Sequence, residues 1–417
     1  MAGARLPMAT GRCTWLLTAV SLLLFLSNAA EAQTWSRFRG PNGSGEAETQ
    51  FPATWSEHDY LWRVALPGSG HSSPVTWNDR VFLSSAEKEG NARLLLALDA
   101  ETGKVIWKES FPSATHRIHA QNSFASSTPA VDQQHVYFAW TTPDRLAVAA
   151  RDHDGQKRWQ VDLGPFVSQH GFGTSPIVYQ DMVIIGNDQD GESSLVALDA
   201  ATGDVRWKVP RRTAVVAYST PCVYGADPAS QALIFNSEAH GISSINPRTG
   251  STNWELEVFN QRTVSSPVVV GNIIFGTCGS GGGSRNYLVA VRAGDKPQEA
   301  YRIEKAAPYV PTPVARGELV FLWADNGVVT CIDAQHGDKV WQKRVGGNFS
   351  GSPIRAGDRL YAISSEGEVV VVAAGREYEL LGRNALGQIS RSTPAVAGGR
   401  MLLRTESQLF CLGAEQR

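Results

Sequence analysis

The sequence predicts an all-β chain folded as an eight-bladed β-propeller of four-stranded antiparallel blades, closed by its N- and C-terminal strands. Three observations point there. The first is a stretch that recurs almost intact: Leu96-Ala97-Leu98-Asp99-Ala100-Glu101-Thr102-Gly103-Lys104-Val105-Ile106-Trp107 returns at 196–207. It reads as a hairpin in which Asp and Thr cap backbone amides, Gly takes positive φ and Trp anchors the next strand. Degraded copies carry Gly155 with Trp159, Gly250 with Trp254 and Gly337 with Trp341, each Gly four residues before its Trp. The second is a Ser/Thr-Pro pair opening a β run at Ser73-Pro74, Thr128-Pro129, Ser175-Pro176, Thr220-Pro221, Ser266-Pro267, Thr312-Pro313, Ser352-Pro353 and Thr393-Pro394. Steps of 40 to 55 residues between them suit a four-stranded blade and exceed most helical solenoid units. The third is a split repeat. The run at 59–66, with Trp62, has no strands before it, and 393–412 supplies three strands and stops. One blade made from both ends removes the sheet edges and ties the termini together.

In chain order, residues 1–32 read as a secretory signal. Arg5 and Arg12 precede an apolar run at 15–26, and Ala30-Glu31-Ala32 offers a cleavage site. The mature chain is expected to start near Gln33 in the periplasm or outside the cell, with no lipid anchor, since no cysteine follows the run, and no membrane span. Residues 33–57 form an N-terminal extension with loop chemistry, expected to tolerate deletion of 33–45. Residues 58–417 form the propeller. Its first blade reads 73–77, turn, 80–85, loop, 93–99, turn, 104–110. Blades five and seven lose the Trp. The fifth offers Tyr301 instead, and the seventh is short. Trp62, Trp107, Trp159, Trp207, Trp254 and Trp341 are the expected docking residues between blades.

The pattern Ala-x-Asp-x-x-Thr-Gly-x-x-x-Trp, at 97–107 and 197–207, resembles the tryptophan-docking motif of the PQQ-like, or quinoprotein-type, eight-bladed β-propellers. The likeness covers about residues 58–412. The opening Trp35-Ser36-Arg37-Phe38-Arg39-Gly40-Pro41-Asn42-Gly43-Ser44-Gly45 resembles the N-terminus of a secreted bacterial branch of that family. The motif speaks for fold and weakly for activity. Dehydrogenases of the family usually hold the quinone against adjacent cysteines, use a carboxylate base and bind calcium. This chain has no Cys-Cys pair and no Cys-x-x-Cys-His haem signature, so neither PQQ nor calcium is expected as a cofactor.

Composition agrees with a turn-rich β chain: 417 residues with 40 Gly, 21 Pro and a formal net charge of −2. A strongly basic nucleic-acid binder is not the default reading. Cys222, Cys278, Cys331 and Cys411 fall in different repeats and are expected to be unpaired.

Connections from the outer strand of one blade to the inner strand of the next line the funnel of a propeller. In these windows the single carboxylate is Glu304, beside several Arg and His. The expected ligand-binding residues are His119, Asn122, His170, Arg262, Asn348, Gln388 and Arg391, with Gln121 and Gln169 beside them. Such donors suit a carboxylate, sulfate, phosphate or sugar hydroxyl. Glu87, Asp188, Asp190, Glu192 and Glu366 would give an acidic rim. His116, His119 and His170 lack the spacing of a helical zinc motif, so no metal site is expected. Asn187-Asp188-Gln189-Asp190-Gly191-Glu192 lacks a full calcium ligand series, and the glycine-rich 279–284 is no phosphate loop. Trp140 and Trp323 are candidate stacking platforms for sugar rings, or core. The functional reading is an exported, monomeric, non-catalytic binding or scaffolding propeller for a protein, peptide or glycan, with an anionic ligand favoured. The alternative is a degenerate PQQ-type oxidoreductase or a carbohydrate-active enzyme.

Overall fold

The computed structural model describes residues 1–3 and 34–415, except 88, 214, 282, 284 and 295. The expected signal segment therefore lies almost wholly outside the described residues. The propeller belongs to one compact unit, Gln33–Arg417. Eight antiparallel sheets follow one another along the chain. Blades 1 to 7 span 75–112, 130–162, 177–211, 222–256, 268–303, 314–344 and 354–385. Blade 8 joins Ala395–Ala397, Arg400–Arg404 and Gln408–Gly413 to Tyr60–Ala65, with Trp62 opposite Cys411.

Burial explains the two kinds of strand. Central strands are covered on both faces by neighbouring blades, so they read as unbroken apolar runs rather than alternating ones. His135–Thr141 and Met182–Asn187 are buried at every position. Outer strands alternate instead, as where buried Trp159 sits between exposed Arg158 and Gln160.

The hairpin turns have the expected chemistry. The Asp99 carboxylate accepts from the amides of Glu101 and Thr102 and from the Thr102 hydroxyl, at 3.2, 2.8 and 2.7 Å. These bonds, led by the Thr102 hydroxyl, hold its pKa below the ordinary value. Gly103 follows at φ 72°. The Gly and Trp of one copy do not meet, however. The turns at Gly155, Gly203 and Gly250 instead receive the ring of the preceding blade, whereas nothing lies within 4 Å of a Cβ on Gly294, in the turn that follows Trp254. A Cβ on Gly155 would stand 3.0 Å from Trp107, and one on Gly203 2.8 Å from Trp159. The indole N–H then donates to a carbonyl of the same turn: Trp107 to His153, Trp159 to Ala200, Trp207 to Pro247 and Trp341 to Gly375, at 2.8 to 2.9 Å. Tyr301 of blade 5 fills the same place, its hydroxyl donating to Ala334 at 2.7 Å.

The Ser/Thr-Pro markers form a second ring, around the axis. Each backbone N–H donates to the next marker's hydroxyl: Ser73 to Thr128, Thr128 to Ser175, Thr220 to Ser266, Ser266 to Thr312, Thr312 to Ser352, Ser352 to Thr393 and Thr393 back to Ser73. Seven of the eight steps are thus bonded among the described residues, at 2.9 to 3.1 Å. Proline next door ends the inner ladder, and the hydroxyl satisfies an amide that would otherwise be buried unpaired.

The N-terminal extension is not a loose appendage, and the expected tolerance to deletion of 33–45 does not fit its packing. Trp35, Arg39 and Phe51 are fully buried. Trp35 exchanges bonds with Thr76, and Ser36 accepts from Val131, lower down the inner strands than the markers. The Arg39 guanidinium spends all five donors on carbonyls: Nε on Gly43, one Nη on Thr312 and Pro353, the other on Ser44 and Pro313, at 2.7 to 3.1 Å. Burial lowers its pKa only to about 9, so it remains a cation at neutral pH. Glu46–Ala47 then adds a parallel strand to Ile354–Ala356 of blade 7.

Blade 7 explains the rest of the extension. Its counterpart of the docking Trp is Gly382, paired with Val371 as Trp62 is with Cys411. The chain at 53–55 covers that gap. A Cβ on Gly382 would stand 2.1 Å from the Ala53 carbonyl, and Asn384 pins the segment by accepting from Trp55 and donating to Ala53, both at 2.9 Å.

Candidate functional site

The connections that enter the inner strands meet over a cavity of about 490 Å³ on the propeller axis. The marker hydroxyls form its waist. Phe38, carried by the N-terminal segment, lines it as well. Above the waist the geometry is regular: the residue two places before each marker Ser or Thr faces the cavity in all eight connections. Arg391 and His71 lead into blades 8 and 1. Ser126, Gly173 and Ser350 are small. Tyr218, Val264 and Val310 complete the ring on the side of blades 4 to 6.

Of the seven expected ligand residues, five line this cavity: His119, Asn122, His170, Arg262 and Arg391. Their freedom differs. Asn122 is consumed internally, its amide donating to the carbonyls of His170 and Phe172 at 2.7 and 3.3 Å and its oxygen accepting from Ser126 and Ser123 at 2.5 and 2.8 Å. It pins two long connections together. His119 stacks on His170, with ring centroids 5.2 Å apart and planes at 21°. Arg262 Nη1 reaches His170 Nε2 at 3.4 Å. A guanidinium only donates, so that nitrogen accepts and the His170 proton sits on Nδ1. Burial first, then Arg262 and His119, hold the His170 pKa below its ordinary value, which favours this neutral form. Arg391 crosses from blade 8 to donate through Nε to the Gln121 carbonyl at 3.1 Å. His71 is pushed down to about 4 by burial and by Arg404 and Arg391.

The other two expected residues turn elsewhere. Asn348 is exposed, its amide 3.5 Å from Glu366. Gln388 accepts from Thr405 and Ser407 of its own blade at 3.0 and 3.1 Å. Their connections do reach the cavity, but through Ser350 and Arg391, the residues two places before the marker, whereas Asn348 and Gln388 stand four and five places before it. The expected acidic rim is also incomplete. Asp188 is buried and paired with Arg211 through two bonds, at 3.2 and 3.1 Å. Asp190 accepts from the amides of Gln169 and Val216. His116 packs edge-on against Phe124, away from the stacked His119–His170 pair. Trp140 and Trp323 are buried against Phe111 and Phe349, so they are core residues and not stacking platforms.

Tyr218 and Tyr309 line the cavity and escaped the charge-based reading. The signal for Tyr218 was its place two residues before Thr220. Burial raises the pKa of both, Tyr218 to about 12. No carboxylate lines the cavity among the described residues. Asp325, in a hairpin of blade 6, is spent on the amides of the lining residues Tyr309 and Val310 at 2.7 and 3.1 Å. Four polar atoms on wall residues are buried without a partner: His71 Nδ1, His170 Nδ1, Arg262 Nε and Arg391 Nη1. The arrangement can attract and orient an anion. It offers no carboxylate base and no oxygen ligand set for a hard cation. The four described cysteines are unpaired and buried in the blades, and none lines the cavity.

A family profile described as outer membrane protein assembly factor BamB matches residues 56–123, 91–343 and 325–415. The BamB of Yersinia pestis is 24% identical over 371 residues, 85% of this chain and 78% of that protein. Among solved structures, BamB from Moraxella catarrhalis aligns with a TM-score of 0.65 at 14% identity, over 86% of this chain and 98% of the other. A europium-containing methanol dehydrogenase aligns with a TM-score of 0.67 at 12% identity, over 91% and 98%. At those identities the two structures speak for the fold alone.

Proposed function

The chain belongs to the BamB family of PQQ-like β-propellers, and from that premise we propose that it is a non-catalytic binding propeller that docks a protein partner at its funnel mouth. One observation carries the reading: the cavity at the mouth gathers Arg262, Arg391 and three histidines, with no carboxylate among the described lining residues. A wall of this kind binds and orients, and it lacks the paired acids of glycoside hydrolysis. The name of the Yersinia pestis relative, an assembly factor, supports a scaffolding role. Two exposed apolar side chains, Val167 and Ile389, lie in the connections that also carry His170 and Arg391, and offer contact area for a partner.

We read the chain as exported, on the signal-like pattern from Arg5 to Ala32. Among the described residues no helix is long and apolar enough to cross a membrane. A calcium–quinone centre does not fit the cavity, because its lining supplies neither a carboxylate base nor adjacent cysteines. Added PQQ and calcium should give no dye-linked oxidation of alcohols or sugars, and saturable turnover would reinstate the oxidoreductase reading.

The docking reading is tested by photo-crosslinkers placed in the native host at Val167 and Ile389, and at Leu61 and Val205 on outer strands. The mouth positions should give one discrete product that Arg391→Glu removes. Products confined to the outer strands would sink the proposal.

A further inference from the structure

The ring above the waist has two unlike sides. Toward blades 8 and 1 stand Arg391 and His71, each with a buried polar atom that finds no partner. Behind them lies Arg404, fully buried. One of its nitrogens serves the Ser72 and Ser84 carbonyls, while Nε and Nη2 are unpaired. Arg391 and Arg404 have no carboxylate within ion-pair distance among the described residues, although seventeen arginine–carboxylate pairs occur elsewhere. Their field is therefore uncompensated at this wall. Toward blades 4 to 6 the ring is Tyr218, Val264 and Val310, with Phe38 also on the cavity wall.

We propose that the axial cavity binds a carboxylate carried on an apolar or aromatic body, with the carboxylate at His71 and Arg391 and the body against Tyr218, Val264, Val310 and Phe38. A guanidinium fork matches the planar, two-oxygen geometry of a carboxylate. The apolar arc distinguishes such a ligand from inorganic sulfate or phosphate, which would leave it unfilled. A cavity of about 490 Å³ lies within the range of small-molecule sites. The carboxylate can come from a free organic acid or from the C-terminus of a polypeptide ending in an apolar residue. Only the second source rests on the docking reading above.

Calorimetric titration of the purified chain, residues 33–417, separates these cases without any partner. The probes are 3-phenylpropionate, its neutral amide, sodium sulfate, and acetyl-Ala-Ala-Phe as free acid and as amide. At least one acid should bind, its amide about tenfold or more weaker, and sulfate weaker than either acid. Arg391→Gln should weaken the acid about tenfold while the thermal melt stays in place. Ser350→Glu adds a carboxylate at the ring position preceding Arg391, and should remove binding without touching the cationic residues. Binding of the small acid alone assigns a free metabolite-like source, and binding of the peptide alone assigns a polypeptide C-terminus. Equal affinity for acid and amide, tighter binding of sulfate, or no heat from either acid up to about 10 mM would each overturn the proposal. So would unweakened binding by a folded Arg391→Gln or Ser350→Glu variant. Mouth crosslinks would stand or fall separately.

Discussion

The indole of Trp62 lies over Gly103, where a Cβ would stand 2.6 Å from its ring, and its N–H donates to the Ala100 carbonyl at 3.1 Å. Trp62 belongs to the strand that completes blade 8, and Gly103 to the turn of blade 1. This contact therefore closes the ring with the same device that joins blades 1 to 2, 2 to 3 and 3 to 4. Trp62→Ala should destabilise the protein by roughly 3 to 5 kcal/mol through cavity formation at the closure. Gly103→Ala should also destabilise, since it adds a methyl under the ring at φ 72°. Urea midpoints measure both, and a parent-like midpoint for Trp62→Ala would remove this contact from the closure.

The N-terminal segment should be as necessary as a blade. Arg39→Lys keeps the charge but has three donors for five carbonyls, and Arg39→Ala has none. The Ala variant should lose roughly 3 kcal/mol or more, and the Lys variant an intermediate amount. Asn384→Ala should lose about 1 to 2 kcal/mol by releasing 53–55 from the Gly382 gap. Removal of 33–45 should abolish soluble expression. A truncated chain that melts like the parent would show that the segment is dispensable.

How much of this was legible follows from the range of each signal. Turn chemistry is local, so Asp99, Thr102 and Gly103 announce a hairpin wherever they fall, and the marker spacing announces the blade. The partner of each Gly is not local. Gly103 serves Trp62 and Trp107 serves Gly155, a relation between blades that the four-residue offset within one copy conceals. The extension has no internal period, so nothing in 33–57 revealed that it would fill the place of a missing Trp at Gly382. At the site, charge and polarity picked out His119, His170, Arg262 and Arg391 but also Asn348 and Gln388, because they do not report which position of a connection faces the axis. The register was in the sequence all along. Counting two residues back from each marker finds His71, Tyr218 and Arg391 directly.

Acid should destabilise the protein through His71. Burial first, then Arg404 and Arg391, lower its folded-state pKa from 6.5 to about 4. The unfolded chain therefore takes up this proton first. The contribution is fully present above about pH 6.5 and is lost as pH falls toward 4. A shift of this size is worth about 3 kcal/mol across that window. His71→Gln should lose that much less stability than the parent between pH 7 and pH 4. Burial lowers His116, His135, His170 and His240 in the same direction, and these are common to both chains. Parallel pH profiles would remove His71 from the account.

The cysteines should be silent until the fold opens. Burial pushes the Cys222, Cys331 and Cys411 thiols up to about 12 and raises Cys278 as well. Since the thiolate is the nucleophile, Ellman titration at pH 8 should be negligible in the native protein and reach four thiols in guanidinium for the chain from Gln33. A fast native reaction at any one of them would show an exposed, activated thiol where the structure has a core residue.

The marker ring makes the most specific prediction. Thr393 accepts the Ser352 amide through its hydroxyl at 2.9 Å and donates its own amide to Ser73 at 3.1 Å, so it links blades 7, 8 and 1. Thr393→Val keeps the shape and removes the acceptor, which leaves the Ser352 N–H buried without a partner. The expected cost is roughly 1 to 3 kcal/mol. Thr393→Ser keeps the hydroxyl, loses one methyl and should cost less. Amide exchange adds a readout that general loss of packing would not move in the same way. In the Val variant, the Ser352 amide should exchange faster than its neighbours in blade 7, while the Ser variant keeps its protection. Equal stability of the two variants, with equal protection at Ser352, would mean that the hydroxyls only fill space around the axis.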